Sequence, residues 1–486
     1  MAKISLAALP AMQAQRLGPD RWALRHGDDV LSWGELDRRS TQRAWAMKAH
    51  GVTPSDLVTL SLTNSNAFYE WLFAIWKAGA TPHVVSWRLP KHELSAILEL
   101  ARPKLLIASN PEFESAFAAK PVTFGLDERL NDPLPEAISN PWKAMSSGGS
   151  TGRPKIILAP QPNLFDPEEP RLRLPQDGVI LNPGPLYHNA PVYLTVMGML
   201  RGSSIVGMTK FEPEEALRLI SLYRVNWVNF VPTMMNRISR LPQAIRERYD
   251  VSSLETVWHM AAPMPAALKE EWIAWLGPDR IWEFYGSTES IGSTTISGTD
   301  WLAHRGSVGL PNNCRIKVLD EAGDELPPGE IGEIFFLPNT GPGSTYRYLG
   351  AQTKPAAGGY ESVGDFGWKD EDGFLYIADR RTDMIVSGGA NIFPAEIENA
   401  LMEHPGVEAA VVIGLPDEEM GALAHAIVKP SPNFPALDEA QLKDHVRERL
   451  ALYKNPRSYE FVTEDLRDDA GKVRRAAMRA ARLAQM

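Results

Sequence analysis

The feature that most limits how this chain can fold is a long alternation of short β-like runs with helix-like ones, sustained over residues 20–340. DLVTLSL (56–62) is followed by NAFYEWLFAIWKAGA (66–80), where Phe68, Trp71, Leu72, Ile75 and Trp76 recur at helical spacing. PKLLIAS (103–109) reads as a buried strand, and NWVNFVP (226–232) follows the amphipathic EEALRLISLYRV. Such alternation implies parallel sheets covered by helices, because a crossover helix carries the chain back to start the next parallel strand. From about residue 315 the pattern changes to RIKVLDEAGDELPPGEIGEIFFLP, two strands joined by Gly- and Pro-rich turns, which reads as antiparallel β. After DRRTD a compact β/α pattern begins: MIVSG, the helical PAEIENALMEH, the strands VEAAVVIGLP and AHAIVKPS, the helical EAQLKDHVRERLAL and the strand SYEFVT. The expected fold is α/β. Residues 1–380 form a large domain of parallel and mixed sheets with covering helices plus an antiparallel β subdomain, and residues 381–486 form a small mobile α+β domain. A large unit and a small one across a polar hinge predict a cleft that closes by domain motion.

Composition narrows the function classes. With 486 residues the chain exceeds one ordinary core, and 44% hydrophobic with 23% charged residues is the make-up of a folded globular protein. Fifty Lys and Arg against 60 Asp and Glu give −10, which argues against a nucleic-acid binder but leaves room for a local basic pocket holding one small anion. The single cysteine, Cys314, excludes an internal disulfide and any multi-cysteine metal site, and reads as a small packing residue in a reducing compartment. The longest apolar run, Val192 to Leu200, stops at Arg201, short of the roughly 20 residues of a membrane span. The N-terminal MAKISLAALPAMQ, cut by Pro10, reads as the start of a cytoplasmic protein rather than a signal peptide. A monomer or homodimer is expected.

The most informative segment is SSGGSTGRPK, residues 146–155. A phosphate needs many N–H and O–H donors in a loop free of bulky side chains, with a cation nearby. Ser147, Gly148, Gly149, Ser150, Thr151 and Gly152 supply the loop, and Arg153 and Lys155 the charge. The Walker pattern is absent, since no Gly-Lys-Ser/Thr follows at the required spacing. Gly148 to Gly152 does fit Gly-x-Ser-x-Gly, the nucleophile elbow of hydrolases, and a flexible linker is a third reading. Redundant hydroxyls and a following strand (IIL, 156–158) favour the phosphate loop over both.

SSGGSTGRPK resembles the signature loop of the adenylate-forming superfamily, which includes acyl-CoA synthetases, luciferases and the adenylation domains of peptide synthetases. Other family segments follow in order. Tyr285-Gly286-Ser287-Thr288-Glu289 resembles YGxTE, and Gly364-Asp365 the segment ending in a ribose-binding Asp. Asp379-Arg380 stands where the family has Gly-Arg, SGGANIFPAEIE (387–398) resembles the start of the small domain, and Gly471-Lys472 its C-terminal lysine loop. Read from the residues alone, Thr288 and Glu289 offer a hydroxyl and a hard carboxylate for a phosphate and Mg²⁺, or equally a satisfied turn. Asp365 alone reads more simply as a turn residue, Arg380 as a solvated charge, and Lys472 as part of an exposed basic tail. The resemblance implies otherwise. Asp365 and Arg380 would hold the ribose or phosphate, Glu289 the metal, and Ala261, Ala262 and Pro263 the adenine. Lys472 would bring a cation to the carboxylate and α-phosphate together. The family's hinge residue is Asp or Lys; here it is Thr382, followed by Asp383.

Between the loop and YGSTE lies LNPGPLYHNAPVY (181–193). The family's amino-acid-activating members carry an Asp near this point, and no acid occurs here, so an amino-acid substrate is disfavoured. His188 resembles the aromatic or His gate of acyl- and aryl-CoA ligases, while by itself it reads as a core histidine at a helix start. Trp227, Val231, Met234, Met235, Trp258 and Met260 suit a roomy apolar acid pocket, although several would serve a core equally well. The segment details resemble fatty-acid and bile-acid type CoA ligases and the related amide bond synthetases. The expected activity is ATP- and Mg²⁺-dependent formation of an acyl-adenylate from a hydrophobic or aromatic acid with release of pyrophosphate, then transfer to CoA. Transfer to an amine is the alternative. Lys454, Arg457, Arg474 and Arg475 are candidates for the CoA 3′-phosphate, and read equally as solvated charges.

Overall fold

The computed structural model describes residues 3–484 apart from 128–129, 149–153, 354, 381–382, 389, 433, 435 and 469–470; of residues 147, 148, 380 and 391 it describes the backbone alone. Two large sheets dominate. Five parallel strands, Ser204–Gly207, Val179–Asn182, Trp227–Phe230, Thr256–Met260 and Ile281–Gly286, lie side by side at the centre of a thirteen-stranded sheet. The hairpin Trp22–His26/Asp29–Ser32 closes one end. At the other end the sheet runs antiparallel through Ser293–Ser297, Ser307–Asn312, Leu375–Arg380, Asp365–Lys369, Gly332–Pro338 and Cys314–Leu319. This antiparallel end of the sheet thus begins at Ser293, well before the expected residue 315. Only six residues, 287–292, separate Ile281–Gly286 from Ser293–Ser297, and a parallel crossover takes a dozen or more.

The second sheet has seven strands, in the order Arg347–Leu349, Pro154–Ala159, Lys143–Gly148, Thr81–Val84, Leu57–Ser61, Leu105–Ala108 and Lys120–Pro121. The helix Asn66–Lys77 joins two of these strands and is buried on nearly every side. Phe68, Trp71, Leu72, Ile75 and Trp76 all have no exposed surface, so the expected helical face has become a full turn of core. Its neighbour Trp33–Ala49 starts on a capping box in which Ser32 and Glu35 satisfy each other's backbone N–H groups. Arg43 of that helix forms a buried bidentate pair with Glu70 and lies 4.5 Å over the Trp71 ring. One continuous core, including Trp71, Trp142, Met145, Trp227, Trp258 and Met260, joins the facing sides of the two sheets.

The small domain has its own core of Ile397, Leu401, Val412, Ala426, Val428, Leu442 and Val446. A long hairpin, Val407–Asp417 with Gly421–Pro430, pairs in parallel with Ser458–Phe461. The helices Pro394–Met402, Glu439–Arg447 and Arg475–Leu483 surround it. Among its ties to the large domain are two hydrogen bonds between described residues. Arg240 Nη2 donates to the Val407 carbonyl at 2.6 Å, and the Asp379 carboxylate accepts from the Ala395 N–H at 2.8 Å, capping the first helix of the small domain from across the junction. No described helix is long and apolar enough to cross a membrane.

Candidate active site

Tyr285, Asp365, Glu289 and Lys155 meet where the antiparallel end of the large sheet faces the strand Pro154–Ala159. Asp365 is buried, with its carboxylate 2.6 Å from the Tyr285 hydroxyl, which donates to it. In the antiparallel ladder Asp365 lies directly opposite Arg380. Gly364 precedes it at φ +86°, a conformation that favours glycine and turns the chain so that the carboxylate stands at the strand end. Ala261 holds φ +74° without being glycine, and its side chain is exposed, beside Ala262 and Pro263 at the end of Thr256–Met260. A non-glycine residue held there is strained, which the fold tolerates at a site.

Glu289 follows the turn after Tyr285-Gly286 and is buried. Lys155 donates to its Oε1 at 2.9 Å and to the Tyr348 hydroxyl at 3.1 Å, and Tyr348 donates to the same Oε1 at 2.6 Å. Burial works to raise the Glu289 pKa, but Lys155 and the Tyr348 hydroxyl outweigh it and hold the carboxylate below its ordinary value. Tyr348 was invisible to motif reasoning; it sits in YRYLG, which reads only as an edge strand. Ser287 Oγ is buried with no partner among the described residues, and the Thr288 side chain is half-buried. Ser147 and Gly148 end the strand Lys143–Gly148, which pairs with Pro154–Ala159. Gly149, Ser150, Thr151 and Gly152 lie outside the described residues.

On the acid side, His188 stands at the start of the helix Asn189–Leu200 with its ring 4.7 Å from that of Tyr187. Its Nε2 is buried without a partner. Burial, and then the charge of Lys472, push its pKa down to about 3, so the ring is neutral across the physiological range. Trp227, Trp258 and Met260 line the sheet face that looks into the core between the sheets. Both indoles donate to one carbonyl, that of Leu172, at 2.9 and 2.8 Å, which closes this face with the segment around residue 172. Asn229 shares the face, and its Oδ1 is buried without a partner in a small cavity with Asn182, Gly184, Pro191, Thr195 and Trp227. Val231 and Met235 belong instead to the core on the other side of the sheet, with Met234. Met235 is wholly buried there, and only Val231 reaches the site, through the lysine loop.

That loop is held tightly. Gly471 N–H donates to the Asp468 carbonyl, Lys472 N–H to the Asp468 carboxylate, and Arg467 to the Gly471 carbonyl at 3.1 Å. Gly471 has φ +74°, and a Cβ there would stand 3.4 Å from both Val231 Cγ2 and Thr233 Oγ1. The small domain is therefore docked with Lys472 close enough to His188 to act on its charge. Glu398 braces the arrangement, accepting from Val412 N–H, Arg475 and Arg467. Arg475 also binds Asp383 at 2.9 Å. Its burial opposes the charge, but Glu398, Asp379 and Asp383 prevail and raise its pKa. Arg475 is thus committed to the domain's own structure, as is Lys454, paired with Glu396. Of the four cations considered for a CoA phosphate, Arg457 and Arg474 are exposed and make no ion pair among the described residues. Thr382 lies outside the described residues.

These groups suit a nucleotide triphosphate with its metal. Asp365 can take both ribose hydroxyls, and Ser287 Oγ is an unsatisfied polar atom beside the anionic site. Glu289 is a hard carboxylate already balanced by a cation, Lys155, where Mg²⁺ charge would be expected. No cluster of three or more metal-ligating side chains occurs among the described residues, in keeping with a Mg²⁺ held by one carboxylate and substrate phosphates. The fold and site define a nucleotide-dependent acid-activating enzyme. The AMP-binding enzyme family matches residues 11–348, and the AMP-binding enzyme C-terminal domain matches residues 396–472. A feruloyl-CoA synthase of Amycolatopsis is 33% identical over 99% of both chains. A 2-succinylbenzoate–CoA ligase of Bacillus licheniformis is 30% identical, over 95% of this chain and 97% of its own. The o-succinylbenzoate CoA synthetase of Bacillus subtilis, solved with its acyl-adenylate intermediate, superposes with TM-score 0.83 at 25% identity over 98% of both chains. This chain belongs to the AMP-binding enzyme family.

Proposed function

We propose that the chain is an ATP-dependent acid–CoA ligase for a hydrophobic or aromatic carboxylic acid. The observation that carries this reading is the seat of Gly471-Lys472 against Val231 and Thr233, which brings the lysine to the acid side while Asp365 and Glu289 occupy the nucleotide side. In the first step a carboxylate oxygen attacks the α-phosphorus of ATP, the bond to pyrophosphate breaks, and an acyl-adenylate remains. Lys472 offsets the charge of the carboxylate and α-phosphate as they approach, and Lys155 and the loop donors hold the departing phosphates. Glu289 would hold Mg²⁺ together with the substrate phosphates, and the ion would supply further charge neutralisation. In the second step the CoA thiolate attacks the acyl carbon and AMP leaves with the electron pair of the cleaved C–O bond. Arg457 and Arg474 are the cations free to meet the CoA phosphates. The relatives named above act on aryl acids, and the Trp227–Trp258 face is suited to a flat ring.

CoA rather than an amine is the acceptor this site favours. An ammonium must lose a proton before it attacks, and His188, with its pKa pushed down to about 3, is too weak a base for that task. We place the enzyme in the cytoplasm, as a monomer or homodimer. The test is pyrophosphate release with a panel of aliphatic and aryl acids, followed by AMP release with CoA alone and with a small primary amine alone. Acceleration by CoA supports the assignment. Acceleration by the amine but not by CoA, lost in His188→Ala while adenylation persists, overturns it in favour of amide synthesis.

A further inference from the structure

We propose that Arg240, at the C-terminal end of the helix Pro232–Ser239, is a positioning residue for the first half-reaction: it holds the small domain in the orientation in which Lys472 adjoins His188. This proposal rests on the adenylating role given to Lys472 above. The helix meets the small domain at both ends. At its start Val231 and Thr233 face Gly471, the residue before Lys472. At its far end, about 12 Å along at about 1.5 Å per residue, Arg240 Nη2 donates to the Val407 carbonyl at 2.6 Å. Two seats on one rigid helix fix a rotation that a single seat leaves free.

The small domain is built to receive that bond and to pass it on. Pro430 stands opposite Val407 in the ladder and has no N–H to donate, so the Val407 carbonyl takes its donor from the large domain. Val411 and Ile413 of the same strand, Val407–Asp417, pack in one core with Leu466 and Val473, the residue after Lys472. Arg475 Nε donates to the Val412 carbonyl at 3.3 Å, and Arg467 holds the Gly471 carbonyl. The strand that Arg240 grips is therefore the one on which the lysine loop is seated. Charge across the domain boundary has the matching sign. On the large domain Lys210 and Arg237 share one carboxylate, Glu212, and Arg240 adds a further cation. On the small domain Glu408 and Asp465 share one cation, Lys429. Lys429 does most to hold the Asp465 carboxyl below its ordinary value, and Arg237 and Lys210 add to it from across the boundary. These exposed charges are screened by salt and bias the approach, while the Arg240 bond sets the seat.

The experiment takes the full-length chain with the acid that releases pyrophosphate fastest in the panel above, and measures the two half-reactions apart. The first is pyrophosphate release with Mg·ATP, the second thioester formation from chemically supplied acyl-adenylate and CoA. Arg240→Ala is expected to slow pyrophosphate release about five- to tenfold, the scale of one hydrogen bond to a charged group, and to leave thioester formation within about twofold of the wild type. Arg240→Lys, which keeps a cationic donor, is expected to recover most of the loss. In a Lys472→Ala background Arg240→Ala is expected to add nothing further, since no lysine is left to position. Wild-type pyrophosphate release in Arg240→Ala, equal losses in the two half-reactions, no recovery in Arg240→Lys, or an additive loss on top of Lys472→Ala overturns the proposal. Wild-type pyrophosphate release in Lys472→Ala alone would instead refute the role of the lysine on which it stands.

Discussion

Lys155 and Glu289, 134 residues apart in sequence, hold each other at 2.9 Å with the Tyr348 hydroxyl bonded to both. The Lys155 cation thus keeps the Glu289 carboxylate ionised and in place. Replacing Glu289 by Gln preserves its shape and removes its charge. Pyrophosphate release should fall by about 100-fold or more, the scale for a preorganised charge in a transition state, and added Mg²⁺ should not restore it. Tyr348→Phe removes one neutral donor and should cost about tenfold at most. A Glu289→Gln enzyme with wild-type pyrophosphate release would exclude Glu289 from the reaction.

The proposed reading assigns Lys472 to the first half-reaction. It is delivered by a loop fixed through Asp468, Arg467 and Glu398, and it lies near enough to His188 to lower that ring's pKa. Lys472→Ala should reduce pyrophosphate release by about 100-fold while largely sparing thioester formation from chemically supplied acyl-adenylate. Equal losses in the two half-reactions would show that the lysine is not specific to adenylation.

The candidate residues stand out in the sequence because they lie in short contiguous runs. Asp365, Glu289 and Lys472 each follow a glycine-bearing turn that a motif captures. What motifs cannot carry is partnership across the fold. Tyr348 meets Glu289 across 59 residues of sequence, His83 meets Ser146 across 63 and Glu398 meets Arg467 across 69, and no local pattern marks these pairs. Apolar spacing also failed to separate pocket from core. Trp227 and Met235 are both buried, yet the first faces the space between the sheets and the second the helices behind. The early start of antiparallel structure was encoded only in the shortness of the connection 287–292, which a reading of apolar runs passes over.

Asp365 tests the nucleotide assignment. The Tyr285 hydroxyl fixes one carboxylate oxygen at 2.6 Å. Asp365→Ala should weaken ATP and AMP by about tenfold to 100-fold, measured by titration, and leave the ranking of acids unchanged. A changed acid profile with intact nucleotide affinity would move Asp365 out of the ribose site.

Lys143 provides a stability test with a definite sign. The side chain is buried two residues before Met145, with its ammonium 4.6 Å from the Trp142 ring centre and 5.5 Å from that of Tyr193, bonded to the Asn189 amide oxygen. No carboxylate pairs with it among the described residues. Burial pushes its pKa from 10.5 down to about 7. Between those two values the unfolded chain holds a proton that the native one has released, so stability rises with pH across that window. Below about pH 7 the native state carries the full cost of a buried charge, partly offset by the two rings and Asn189. Lys143→Met keeps the length and removes the charge. It should raise stability near pH 7 by about 1–2 kcal/mol and flatten the rise toward pH 10, read from urea midpoints followed by tryptophan fluorescence. A less stable Lys143→Met protein with the pH slope intact would show that the slope comes from other groups and that the ammonium itself holds this part of the core together.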